Sequence, residues 1–198
     1  MSKYDMITLY GPLVLIALAL VWGFARMTYL SRAKGVSVLA FVGRKRSGPE
    51  KVLTLTAIVL DGYLIARPFV PGLDRFVMTA PNLYAHYGVA LMVLGIAVAI
   101  LSQVDMGKAW RIGVPEAAEE SQSLVTSGLY RVSRNPIYVG IMLFIGGSVV
   151  VAPGPVTILS LILTWVFVNQ IIDSEEAFLR TAFGAEFEAY CTRTRRWI

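Results

Sequence analysis

The sequence predicts an all-α integral membrane protein of five transmembrane helices, closed by a cytoplasmic C-terminal region. Three observations carry that prediction. Hydrophobic residues make up 56% of the 198 and charged residues only 16%, where a soluble domain carries roughly 25% charged residues; mean hydropathy is +0.64. Apolar runs recur at 7–25, 52–66, 83–104, 137–152 and 156–172. Basic residues collect in alternate connections, with fifteen of the eighteen in the first connection, the third connection and the C-terminal tail.

A spanning helix needs about 20 mostly apolar residues. The first run, 7–25, meets this. It is too long for the apolar core of a signal peptide and is followed by Arg26-Met27-Thr28-Tyr29 rather than a small-x-small cleavage site, so it is expected to remain in the mature chain. The connection after it holds Arg26, Arg32, Lys34, Arg44, Lys45, Arg46 and Lys51, with a short amphipathic stretch at 36–42 that suits a membrane surface. The second run reaches spanning length if it extends through Pro68 to Val70. It carries Asp61, an acid in an apolar segment, which is costly and usually functional; a polar cavity or Arg67 would accommodate it. The third run, 83–104, is long enough by itself. His86 at its start reads as an interfacial residue.

The fourth and fifth runs are shorter and are joined by Pro153-Gly154-Pro155, a tight turn between antiparallel helices. They read as two spans or as a helical hairpin that stops short of crossing. From Asp173 onward, Phe178, Ala182, Phe183, Phe187 and Tyr190 recur at helical spacing, which predicts a cytoplasmic helix folding back on the bundle, broken at Gly184. Cytoplasmic connections collect Lys and Arg, so five spans place the N-terminus outside and the C-terminus inside. The net charge of +5 thus reports topology and anionic headgroups, and nucleic acid is excluded as a partner. Cys191 is the single cysteine, and no metal-ligand spacing occurs.

The third connection, 105–135, is too long and too rich in apolar and aromatic residues for a disordered linker. Trp110 and Arg111 in it suit a lid or a membrane anchor. Its end, from Ser127 to Gly140, holds two tyrosines and two arginines where a helix meets water. Gly128 permits a tight turn, and Pro136 suits the first position of the next helix. Read without further context, Tyr130 and Tyr138 are interfacial anchors and Arg131 a positive-inside marker.

In order along the chain stand 124–130 (Leu-Val-Thr-Ser-Gly-Leu-Tyr), 134–140 (Arg-Asn-Pro-Ile-Tyr-Val-Gly), the Pro-Gly-Pro turn, Glu175-Glu176 with Leu179, Phe183-Gly184 and Tyr190. This combination resembles the isoprenylcysteine carboxyl methyltransferase and phospholipid methyltransferase superfamily of integral membrane enzymes, and it covers about residues 105–198. The resemblance divides the chain into 1–104, three membrane helices with a basic loop, and 105–198, a methyltransferase-like region. It implies methyl transfer from S-adenosylmethionine at the cytoplasmic end of the last spans. Leu124, Val125, Gly128, Tyr130, Asn135, Pro136, Tyr138 and Glu176 are the implied cofactor-binding residues. Arg134, Glu175, Arg193 and Arg196 are the implied catalytic set. Aromatic faces suit a sulfonium, a carboxylate at 175 or 176 suits an ammonium, and the arginines suit an anionic acceptor.

Two departures stand out. Asn135 occupies the place where the superfamily usually carries histidine, which removes an imidazole base and leaves a hydrogen-bonding role. Asn169, Gln170 and Ile171 occupy a turn where relatives that methylate a prenylcysteine carboxylate often place an arginine. An amphiphilic acceptor, its tail among the spans and its head at the loops, is the expected partner: a prenylcysteine-like carboxylate, an isoprenoid acid, a phospholipid amine or a small apolar thiol. A nicotinamide-dependent membrane reductase of sterol-reductase type, and a non-catalytic protein that retains the fold, are the alternative readings.

Overall fold

The computed structural model describes residues 5–34, 46–70, 72–79, 83–107 and 123–198. The described residues form seven α-helices: α1 (Met6–Lys34), α2 (Gly48–Ala66), α3 (Leu73–Val77), α4 (Ala85–Met106), α5 (Pro136–Val151), α6 (Pro155–Phe183) and α7 (Ala185–Arg193). A 3-10 turn at Gly128–Arg131 precedes α5. The amphipathic stretch at 36–42 and the pair Trp110 and Arg111 lie outside the described residues.

Three helices are long and apolar enough to cross a bilayer: Met6–Ala33 of α1, α4, and α6. Much of their apolar surface is exposed, as at Leu20 (65%), Phe24 (69%) and Trp165 (47%). Exposed apolar faces on such helices suit lipid. The chain is an integral membrane protein. α2 has 19 residues but includes Glu50, Lys51 and Asp61. α5 has 16 residues, roughly 24 Å at about 1.5 Å per residue, short of the ~30 Å hydrocarbon core.

Local chemistry sets the helix ends. Ser47 and Glu50 form a reciprocal capping box at the start of α2: the Glu50 amide donates to Ser47 Oγ (3.4 Å) and the Ser47 amide to Glu50 Oε2 (2.6 Å). α2 does not extend through Pro68 to Val70 as the apolar run suggests. Pro68 has no amide to donate, and the amides of Phe69 and Val70 both turn back to the Ala66 carbonyl at 3.0 Å. Arg67, one of the two accommodations considered for Asp61, directs its guanidinium to Asp74 of α3 (Nε–Oδ1 3.0 Å, Nη2–Oδ2 3.0 Å), which also accepts from Tyr63 Oη at 3.0 Å. At the same end of the bundle His86 Nε2 lies 2.6 Å from Asp5 Oδ2.

α4 and α5 pack antiparallel with their backbones nearly touching. Gly88 faces Gly147 and Gly95 faces Gly140, seven residues apart on each helix. A Cβ on any of the four would stand 2.6–2.7 Å from a carbonyl oxygen of the opposite helix. Small residues at this spacing let membrane helices approach closely. Leu15, Ile16, Leu60, Leu64, Met92 and Ile145 fill the core between α1, α2, α4 and α5.

The last helices differ from expectation. α6 runs unbroken from Pro155 to Phe183, so no separate helix starts at Asp173; the helix leaves its apolar zone without ending. The break falls at Gly184 (φ +48), and α7 then returns Phe187 and Tyr190 to burial (1% and 4% exposed). The Pro153–Pro155 turn is as expected. The Cβ that Gly154 lacks would collide with the Val77 carbonyl of α3.

Candidate active site

At the end of the bundle away from Asp5, Asp74 and His86, three pieces of chain converge: the 123–135 segment entering α5, the far end of α6, and α7 with the tail behind it. Gly128 takes the left-handed conformation (φ +59) that opens the 3-10 turn. The Asp105 carboxylate, at the end of α4, fills the space a Cβ on Gly128 would need and accepts the Leu129 amide at 2.7 Å. Pro136 stands buried in the first turn of α5. Leu124 and Val125 lie half-buried in the segment leading to the turn.

Glu176 is the centre of the site. Its side chain is 4% exposed and lies between two guanidiniums. Arg134 donates to Oε1 from Nε (3.2 Å) and Nη2 (2.9 Å); Arg196 donates to Oε1 from Nε (3.2 Å) and to Oε2 from Nη2 (2.6 Å). Two opposed cations around one buried carboxylate make a charge-assisted network in which every oxygen is engaged. The remaining guanidinium donors are also used: Arg134 Nη1 reaches the Thr194 carbonyl at 2.7 Å, and Arg196 Nη1 reaches Asp173 Oδ1 at 2.8 Å.

Glu175, the next residue, faces a different neighbour. Successive helical residues point about 100° apart, and Glu175 accepts from Tyr138 Oη of α5 at 3.1 Å. Asn135, buried at the start of α5, donates from Nδ2 to the Arg196 carbonyl (3.0 Å), and its backbone amide donates to Ser133 Oγ (3.0 Å). Tyr130 is buried, and its carbonyl accepts from Tyr190 Oη at 2.6 Å. Burial raises the Tyr130 phenol well above its ordinary range and pushes Tyr190 up to about 12, so both remain neutral hydrogen-bonding groups. Burial also pushes the Cys191 thiol up, the reverse of what an activated thiol needs.

The structure thus brings together Arg134, Asn135, Tyr138, Glu175, Glu176 and Arg196. Arg193 stands apart: it is exposed, and its Nε donates to the Ala189 carbonyl of its own helix at 3.2 Å. Sequence reasoning missed Asp105, Ser133 and the backbone of 194–196, because their roles depend on contacts across 24 to 63 positions.

A bundle of apolar helices with a buried two-arginine, one-carboxylate network at one end defines a membrane-embedded protein with a candidate site there. The model of the phospholipid methyltransferase family matches residues 84–186, a span containing α4, α5, α6 and all of the central site residues except Arg196. The chain belongs to this membrane methyltransferase family. It is also 26% identical over 186 residues to a probable protein-S-isoprenylcysteine O-methyltransferase of Oryza sativa subsp. japonica, covering 89% of this chain and 94% of that one. It is 25% identical over 142 residues to protein-S-isoprenylcysteine O-methyltransferase B of Arabidopsis thaliana, covering 71% and 69%.

Proposed function

We propose that this protein transfers a methyl group from S-adenosylmethionine to the carboxylate of a prenylcysteine-like amphiphile at the cytoplasmic membrane face. The observation that carries this reading is the division of labour between Glu175 and Glu176. Glu176 is wholly engaged by Arg134 and Arg196, whereas Glu175 stands beside the Tyr138 ring system, a carboxylate and an aromatic that together suit a cationic ligand. Of the two carboxylates the sequence offers for the ammonium, Glu175 is the partner in this reading, and Glu176 organises the two arginines.

The donor set fits the cofactor, which supplies an electrophilic methyl on a sulfonium. Glu175 and Tyr138 hold its cationic part, Asp105 and Gly128 shape the 124–131 segment at its edge, and the site orients it toward an acceptor lying along the helices. A carboxylate acceptor is already ionised at neutral pH and requires no base. This agrees with Asn135 and with the position of the sole histidine, His86, at the opposite end of the bundle beside Asp5. A phospholipid amine would first have to lose a proton, which Asn135 cannot take. The N-terminus outside and C-terminus inside follow from the charge bias, with α2 and α5 completing five spans.

The test is calorimetric titration of S-adenosylhomocysteine into the detergent-solubilised protein, followed by methyl transfer from labelled S-adenosylmethionine to N-acetyl-S-farnesylcysteine. Saturable binding, weakened about tenfold in Glu175→Gln through loss of a charge-assisted contact, and labelled ester are expected. Saturation by NADPH with none by S-adenosylhomocysteine would overturn the reading in favour of a reductase.

A further inference from the structure

The tail after α7 crosses the site as a strap. Its backbone carbonyls take the polar hydrogens around the start of α5: Arg195 accepts the Arg134 amide (2.9 Å), Arg196 accepts Asn135 Nδ2 (3.0 Å) and Ser133 Oγ (3.2 Å), and Thr194 accepts Arg134 Nη1 (2.7 Å). Two consecutive side chains then grip α6 at separate points. Arg196 binds Asp173 and Glu176. Trp197 stacks on Trp165, with ring centroids 5.0 Å apart and planes 26° apart. Asp173 and Glu176 stand eight and eleven residues beyond Trp165, so at about 1.5 Å per residue the grips lie roughly 12–16 Å apart along the helix. A strap held at two such points cannot slide along α6 without releasing one of them.

Electrostatics hold the strap at Arg196, which pairs with Asp173 and Glu176, but they set Arg196 and Arg134 on the same carboxylate, and like charges in one place repel. The ring stack is indifferent to that repulsion, and it lies on the exposed apolar face of α6 formed with Ile162 and Val166.

We propose that Trp197, through its stack on Trp165, is a positioning residue for the cofactor site: it fixes the strap so that Arg196 and the strap carbonyls hold Glu176 and Arg134, and with them Glu175. The inference rests on the methyltransferase reading for its consequence, cofactor affinity, but not for the strap itself. Two measurements separate them. S-adenosylhomocysteine is titrated by calorimetry into full-length Trp197→Ala, Trp165→Ala, the double variant, Trp197→Phe and Trp197→Leu. Hydrogen exchange at the Arg134 amide is followed without ligand. Each alanine variant is expected to lose affinity about two- to tenfold, the range of an aromatic pair, and to expose the Arg134 amide, with little change in melting temperature. The double variant is expected to lose no more than either single. Phenylalanine, which keeps a ring face, restores both readouts; leucine, which keeps only apolar bulk, does not, and this contrast stands even if the alanine variant fails to fold. Wild-type affinity and exchange in Trp197→Leu, or additive losses in the double variant, would overturn the proposal. If the wild type binds no S-adenosylhomocysteine, the methyltransferase reading and the proposed link to cofactor affinity fall together. Unchanged Arg134 exchange in the leucine variant would then reject the strap as well.

Discussion

The adjacent glycines 146 and 147 of α5 respond oppositely to the same substitution. At Gly147 a Cβ would stand 2.6 Å from the Gly88 carbonyl oxygen and 2.8 Å from the Met92 amide nitrogen, both backbone atoms of α4; at Gly146 its nearest neighbour is Leu91 Cδ2 at 4.0 Å. Ordinary contact begins near 3.4 Å, so alanine at 147 forces α4 and α5 about 0.8 Å apart. A gap of that size forfeits a quarter to a half of each contact's dispersion energy along the seam, and overpacking of this kind costs about 1–3 kcal/mol. The helix-propensity gain of alanine over glycine, about 0.8–1 kcal/mol, offsets part of this at 147 and stands alone at 146. Gly147→Ala is therefore destabilised by up to about 2 kcal/mol net, and Gly146→Ala is neutral or stabilised. In far-UV circular dichroism melts in one detergent, this reads as a fall of up to about 8 °C at 147 and none at 146, using about 2–4 °C per kcal/mol for a chain of this size. Equal shifts in the same direction would refute the close approach of the two helices.

Removing the charge from Glu176 leaves two guanidiniums facing each other. With the exposed half of the pair (Arg196, 35%) discounted for solvent screening, Glu176→Gln is expected to lose about 2–3 kcal/mol in the same melts and to abolish saturable S-adenosylhomocysteine binding. At the opposite end of the bundle, Asp74→Ala removes the carboxylate paired with Arg67, whose side chain is 1% exposed, and should cost about 3–5 kcal/mol while leaving cofactor affinity in the surviving fold unchanged. Tyr190→Phe removes a buried hydrogen bond worth about 1 kcal/mol. Because burial raises the Tyr190 phenol from 10 to about 12, its contribution is complete below pH 10 and is lost as pH rises through 12. The stability difference from wild type, measured by isothermal denaturation, should close across that window; a difference that widened would show the opposite shift.

What was legible in the sequence follows from what hydropathy and backbone chemistry report locally. The run at 137–152 became a helix at Pro136–Val151 and that at 83–104 one at Ala85–Met106, because apolar length is a local property. Gly184, Gly128 and the Pro-Gly-Pro turn were readable because only particular backbones fit there. The end of α6 was not readable: a hydropathy drop at Asp173 marks where a helix leaves the apolar zone, and helical hydrogen bonding continues across it to Phe183. The site was half legible. The motifs placed Arg134, Tyr138 and the acidic pair together, but the tail's contacts with 133–135 join positions about sixty apart, and no single-sequence periodicity reports those.

The same limit explains why the sequence left open which of two neighbouring acids is paired with the arginines. Sequence places Glu175 and Glu176 at one boundary and says nothing of which faces inward, since that depends on the rotation of α6 set by its packing on α2 and α5. Once Val168, Ile171 and Ile172 are buried (1%, 5% and 0% exposed), the helical period carries residue 176 to the same side, four positions beyond 172, and turns 175 away by about 100°. Burial then makes 176 intolerant of anything but a matched pair of cations, while 175 keeps a half-exposed position beside Tyr138. A site that must admit and release a charged ligand is better served by the second arrangement. A carboxylate saturated by fixed guanidiniums must break that network to accept an incoming cation, whereas Glu175 accepts a hydrogen bond from the neutral phenol of Tyr138.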